Sequence, residues 1–79
     1  MDIDHLVTMA NDIGNFFDSE MGPEEAPKAI ALHISRYWDP RMRRHILEHS
    51  RKGGAGLSPS AAAAIKSLPP VKETPQVLA

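Results

Sequence analysis

Cysteine is absent, and the aromatic residues come down to one Trp, one Tyr and two Phe in 79 residues. Without Cys there can be no disulfide, thiolate metal site or cysteine-held iron–sulfur cluster, and the lack fits a reducing compartment such as the cytoplasm. No stretch approaches the roughly 20 apolar residues of a membrane span. The start of the chain has Asp2 and Asp4 and no basic apolar run, so it does not read as a signal peptide. A cytoplasmic protein with no membrane partner is the expectation. Residues 1–25 also lack Lys and Arg entirely, while carrying Asp2, Asp4, Asp12, Asp18, Glu20, Glu24 and Glu25. Apolar mass is short as well. A chain of this length buries about 60% of its extended surface. At about 25 cal/mol per Å², that burial is nearly cancelled by roughly 1.5 kcal/mol of ordering entropy per residue. With neither disulfide nor evident metal to add, such a chain is expected to gain stability from a partner.

What is present is helical periodicity. Ile3, Leu6, Val7, Ala10, Ile13, Gly14 and Phe17 recur at three- and four-residue steps, which predicts an amphipathic helix over residues 3–17. Met9 and Phe16 lie beside this stripe and widen it. Gly14 costs the helix about 1 kcal/mol relative to Ala, a loss that a close helix–helix approach would offset. Asp18 to Gly22 reads as a break closed by Gly22-Pro23. Glu24 and Glu25 then open a second helix running to Tyr37, with Pro27 in its first turn and Ala26, Ala29, Ile30, His33, Ile34 and Tyr37 on its apolar face. His33 reads as a packed or interface histidine. Asp39 followed by Pro40 is an N-cap and first-position pair, so a third helix starts at Pro40 and the chain axis turns at Trp38. That helix, with Met42, Ile46 and Leu47 as its few apolar residues, ends at Gly53-Gly54.

Gly53-Gly54-Ala55-Gly56 predicts a flexible connector. It lacks the preceding strand and the Gly-Lys-Ser/Thr ending of a phosphate loop. Ser58 and Pro59 cap a short fourth helix with a narrow stripe of Leu57, Ala61, Ala64, Ile65 and Leu68, and Pro69-Pro70 stop it. The fold class is therefore all-α: a small bundle of three to four short helices over residues 1–68, with residues 69–79 as a tail, extended or disordered unless bound to a partner.

The formal net charge is −1, but the basic residues gather late: Arg36, Arg41, Arg43, Arg44, Arg51 and Lys52 stand in residues 36–52 against Asp39 and Glu48. The plain reading is a solvated face balanced by the acidic first helix. The functional reading is an interface, since Trp, Tyr and Arg are the usual anchors of protein contacts. Phe16, Phe17, Tyr37, Trp38, Arg41, Arg43 and Arg44 are the candidate partner-binding residues, with Trp38 weighted toward packing at the elbow and the two Phe split between core and contact. His45 and His49, four apart, could share a metal, but no third ligand is placed to complete a site, so none is expected. Nor do the His residues have the Ser, Cys or paired carboxylates of a recognisable catalytic set.

The run Leu6-Val7-x-Met9-Ala10-Asn11-x-Ile13-Gly14-x-Phe16-Phe17, then His33-x-x-x-Tyr37-Trp38-Asp39-Pro40-Arg41-Met42-Arg43, then Gly53-Gly54-x-Gly56-Leu57, resembles the delta subunit of soluble NAD-dependent formate dehydrogenases over residues 5–68. The resemblance implies a non-catalytic accessory subunit of a complex that oxidises formate to carbon dioxide and reduces NAD. It implies partners in the catalytic alpha subunit and in beta and gamma subunits. It also implies cofactors on those chains and not on this one: bis-molybdopterin guanine dinucleotide with molybdenum or tungsten, iron–sulfur clusters, FMN and NAD. The alternative from the residues alone is a small nucleic-acid-binding module or regulatory adaptor, with Arg41, Arg43 and Arg44 on phosphates. The near-neutral charge and the lack of a base-reading set on the third helix count against it, so no nucleic-acid partner is expected.

Overall fold

The computed structural model describes residues 2–71, and among these there are four helices and no strand. They are α1 (Ile3–Met21), α2 (Ala26–Tyr37), α3 (Pro40–Arg51) and α4 (Pro59–Ser67). The expected all-α bundle is what forms. The expected tail falls mostly outside the described residues, which stop at position 71.

Helix starts follow the cap chemistry. The Asp39 carboxylate accepts from the Met42 N–H at 2.9 Å, and the Ser58 hydroxyl accepts from the Ala61 N–H at 3.3 Å, each with Pro in the first helical position. Asp2 does the same for α1 through the Asp4 N–H at 3.0 Å. At the far end of α3, Gly53 N–H donates to the Ser50 carbonyl and Gly54 N–H to the His49 carbonyl. Both glycines have positive φ, which completes a Schellman stop.

One boundary differs from expectation. α1 continues through Asp18, Ser19 and Glu20 to Met21, and stops at Gly22 with φ 86°. Local propensity disfavours this last turn, but α4 supplies a reason to keep it: Ser60 Oγ donates to Asp18 Oδ1 at 2.6 Å. The helix is extended by a tertiary bond that short-range reading cannot see.

The core is a single cluster drawn from every helix. Leu6 and Ala10 of α1, Ile30 and Ile34 of α2, Ile46 of α3, and Ala61, Ala64 and Ile65 of α4 are all buried. α1 packs against each of the other three, and α4 against α2 and α3. Its alanines allow that close central placement. On α2 the buried row is Ala26, Ile30, Ile34 and then Trp38, a strict four-residue ridge. Trp38 thus takes the last core position of that row. Tyr37, about 100° further round the helix, is turned outward and is 70% exposed instead of completing the apolar face.

Gly14 sits where α1 meets α4. A Cβ there would lie 3.3 Å from Ser58 Oγ and 3.6 Å from the Ala61 Cβ. The close approach expected of this glycine is present. Gly14→Ala is expected to be near neutral, because about 1 kcal/mol of helix propensity is set against a push on the N-cap of α4. Gly14→Val forces two more methyl groups into the contact and is expected to cost about 1–3 kcal/mol. In a domain of this size that lowers the thermal midpoint by roughly 10 °C, and a paired melt of the two variants checks it.

Candidate docking surface

The hinge between α2 and α3 sets the geometry of the surface. Trp38 caps α2, its N–H donating to the Ile34 carbonyl at 3.0 Å. Its own carbonyl accepts from Arg43 Nε–H at 3.2 Å, so Arg43 folds back across the turn, half-buried. The hinge is therefore closed by a packed indole beneath and a guanidinium beside it.

Outside the hinge, four rings form a ladder from α1 to α2. Phe16 and Phe17 meet edge to face, with centroids 5.1 Å apart at 76°. Phe17 meets His33 at 6.2 Å and 65°, and His33 meets Tyr37 at 4.8 Å and 47°. These are the offset and edge-on geometries that aromatic quadrupoles favour. The two outer rungs are open to solvent, Phe16 at 57% and Tyr37 at 70% exposure. Beside the ladder run two shallow grooves. One, of about 290 Å³, is lined by Asp12, Ile13, Phe16, Phe17 and His33. The other, of about 400 Å³, is lined by Met9, Asp12, Ile13, His33, Tyr37, Trp38 and Met42. They share Asp12, Ile13 and His33, and so form one largely apolar strip between α1 and α2.

The seven residues singled out in the sequence therefore separate by position. Phe16, Phe17 and Tyr37 collect on the aromatic strip. Trp38, 5% exposed, forms part of its floor while belonging to the core. Arg43 is engaged in the hinge. Arg41 and Arg44 lie elsewhere, on an open groove of about 620 Å³ shared by Ile3, His45, Glu48, His49 and Lys52. The strip also takes in Met9, Ile13 and Met42, which periodicity alone assigns to ordinary packing, and His33, expected as a packed or interface histidine. The four-residue steps from Ile13 to Phe17 and from His33 to Tyr37 were the available signal.

The glycine connector is the other departure. Far from free, it is tied to two helices. The Asn11 amide bridges it, Nδ2 donating to the Gly56 carbonyl at 2.8 Å and Oδ1 accepting from the Ser58 N–H at 2.8 Å. His49 Nε2 lies 2.8 Å from the Ala55 carbonyl; since a carbonyl can only accept, the proton is on Nε2. A Cβ at Gly56 would meet Val7 at 3.3 Å. Val7, Asn11, Gly14 and Asp18 form one line along α1, and each meets the connector or the start of α4.

With its Nε2–H directed at Ala55, His49 keeps only Nδ1 as an acceptor or ligand atom. Among the described residues, no group of three or more His, Cys, Asp or Glu is arranged to hold a metal ion. No helix among them is long and apolar enough to cross a membrane.

Comparison with curated proteins gave no match, and comparison with solved structures gave none. A family model does match: the NADH-dependent formate dehydrogenase delta subunit, FdsD, over residues 5–65. That span starts two residues into α1 and ends within α4, and so takes in the hinge, the ladder and the Asn11 bridge. The chain, a four-helix bundle with an open aromatic strip, belongs to the NADH-dependent formate dehydrogenase delta subunit family.

Proposed function

We propose that the chain is a non-catalytic subunit that docks on the catalytic, molybdopterin-containing alpha subunit of the formate dehydrogenase complex and supports the complex's assembly and stability. In this reading residues 1–68 are the docking unit and the complex works in the cytoplasm. The beta and gamma subunits complete it. Bis-molybdopterin guanine dinucleotide with molybdenum or tungsten, iron–sulfur clusters, FMN and NAD reside on the other chains. The absence of Cys from this chain supports that division, since cluster ligands must come from elsewhere.

The observation that carries the reading is the exposed aromatic ladder. A Phe or Tyr ring buries about 150–250 Å² when covered. This chain is short of core, yet it leaves two of its four aromatic side chains largely in water beside an apolar groove. Patches of that kind mark contact surfaces. Met9 and Met42 at the groove suit it to an irregular partner surface, because thioether side chains adapt their shape cheaply.

Two measurements test the proposal. Preparing the complex from cells lacking this chain is expected to give loosened subunit association, reduced molybdenum or tungsten content and reduced formate-dependent NAD reduction. Unchanged assembly, metal content and activity would remove the reading. In addition, Tyr37→Ala is expected to leave the melting of the free chain nearly unaltered while weakening its binding to the complex roughly 30-fold, the scale of an interface hot spot. Equal binding by the variant would exclude the aromatic strip as the contact.

A further inference from the structure

The aromatic strip leaves the basic face of α3 unexplained. Arg41, Arg44, His45, Glu48 and Lys52 follow one another at helical steps along a single face. With Ile3 and His49 they line the groove of about 620 Å³ between α3 and the start of α1. This groove shares no lining residue with the aromatic strip. Arg41 and Lys52 are eleven positions apart, which spans about 16 Å along the helix axis. Among its described lining residues three permanent cations stand against one carboxylate, a basic concave surface on a chain whose net charge is −1.

We infer that this groove docks an acidic helical segment of another subunit in the same complex, one that carries carboxylates at three- to four-residue steps. The inference rests on the reading of the chain as a docking subunit and adds a second, chemically different contact to it. Charge complementarity selects the occupant. Arg41 and Arg44 stand one turn apart on an exposed face, and guanidinium forks match carboxylates in bidentate fashion. Carboxylates one turn apart on a facing helix have the same spacing of about 5–6 Å. Ile3 offers a small apolar foot for the segment's inner side. A nucleic acid fits less well. Glu48 stands within the groove, where a backbone with a charge on every phosphate would meet it, while carboxylates spaced on a helix can avoid it.

The test uses the full chain and the complex purified without it, with binding measured at about 0.05 M and about 1 M salt, where screening is respectively weak and strong. The variant is Arg41→Glu with Arg44→Glu. Arg41→Gln with Arg44→Gln serves as a second, milder pair, and circular dichroism melts confirm that both fold. Wild-type affinity is expected to fall steeply with salt. The charge reversal is expected to lose about tenfold or more at low salt, with the gap closing at high salt. The neutral pair is expected to lie between.

If wild type binds with a flat salt response and both pairs match it, the inference is overturned and docking through the aromatic strip stands. Complete failure of wild type to bind would overturn the docking reading itself. If random duplex DNA binds wild type at low salt and displaces it from the complex, the occupant is a nucleic acid and not an acidic helix.

Discussion

Trp38→Ala is expected to leave the free chain largely unfolded at room temperature. The indole is the largest side chain in the core, 5% exposed, and it ends the buried row Ala26, Ile30, Ile34 that joins α2 to the rest. Truncating a buried Trp costs about 3–5 kcal/mol through lost burial and the cavity left behind. A domain this small has a total stability of about 5 kcal/mol or less. The substitution therefore removes most of what holds the bundle, and far-UV circular dichroism of the isolated chain checks it directly. Because Trp38 is the one Trp, the wild-type protein also carries its own reporter, and its emission is expected to be that of a buried indole.

The contrast with its neighbour makes the result informative. Tyr37→Ala removes a side chain that is mostly in water, so it spares folding and weakens association. Should Trp38→Ala fold normally and lose only partner binding, the indole would be an interface anchor and not a member of the core. Excess partner is expected to recover some of the Trp38→Ala fold, since binding to the native state adds stability by mass action.

Asn11→Ala is expected to cost about 2 kcal/mol, a large effect for a polar side chain. One amide answers two backbone groups in the segment leading into α4: the Gly56 carbonyl and the Ser58 N–H, both at 2.8 Å. Alanine leaves both without their partner. Each hydrogen bond contributes about 1 kcal/mol net, and a part-buried group left unsatisfied costs about 1–3 kcal/mol. Ser58 is also the N-cap of α4, so the damage reaches the helix that packs against all three others.

Asn11→Asp separates the two halves of the bridge. The carboxylate can still accept from Ser58 N–H, but it faces the Gly56 carbonyl with no proton to donate. It is expected to fall between wild type and Asn11→Ala in a denaturant titration. Hydrogen exchange at α4 amides is the sharper measure. If the Ala variant protects them as well as wild type does, the bridge is incidental.

Asn11 also shows where reading the chain as text runs out. Its position on α1, one turn before Gly14, was plain. That its amide would meet residues 56 and 58 was not, because the connector had to fold back 45 positions first. The same limit applies to Asp18. As a local feature it argues for a helix end, and the bond from Ser60, 42 residues on, reverses that. Tyr37 and Trp38 are the opposite lesson. Both are aromatic and adjacent, and a stripe drawn by eye takes in Tyr37. The four-residue ridge through Ile30 and Ile34 ends on Trp38 instead, and one step of 100° about the axis separates a core residue from a surface one.

The residues that carried the family resemblance prove largely structural on this chain. Gly14 admits α4, Asn11 binds the connector, Gly53 and Gly54 stop α3, and Asp39-Pro40 start it. Such positions are legible because backbone conformation, capping and close approach permit few residue types.

The amino-acid sequence alone determined the helical class, both ends of three of the four helices to within a residue or two, the N-caps at Asp39 and Ser58, and the absence of any thiol chemistry. Each of those depends on neighbours within about four positions, where sterics and hydrogen-bond reach decide the outcome. Tertiary structure decided which aromatic faces water, that the glycine connector is held, and that Arg43 serves the hinge while Arg41 and Arg44 line a separate groove. Those outcomes depend on distances between segments far apart in the chain, and periodicity along one helix does not contain them.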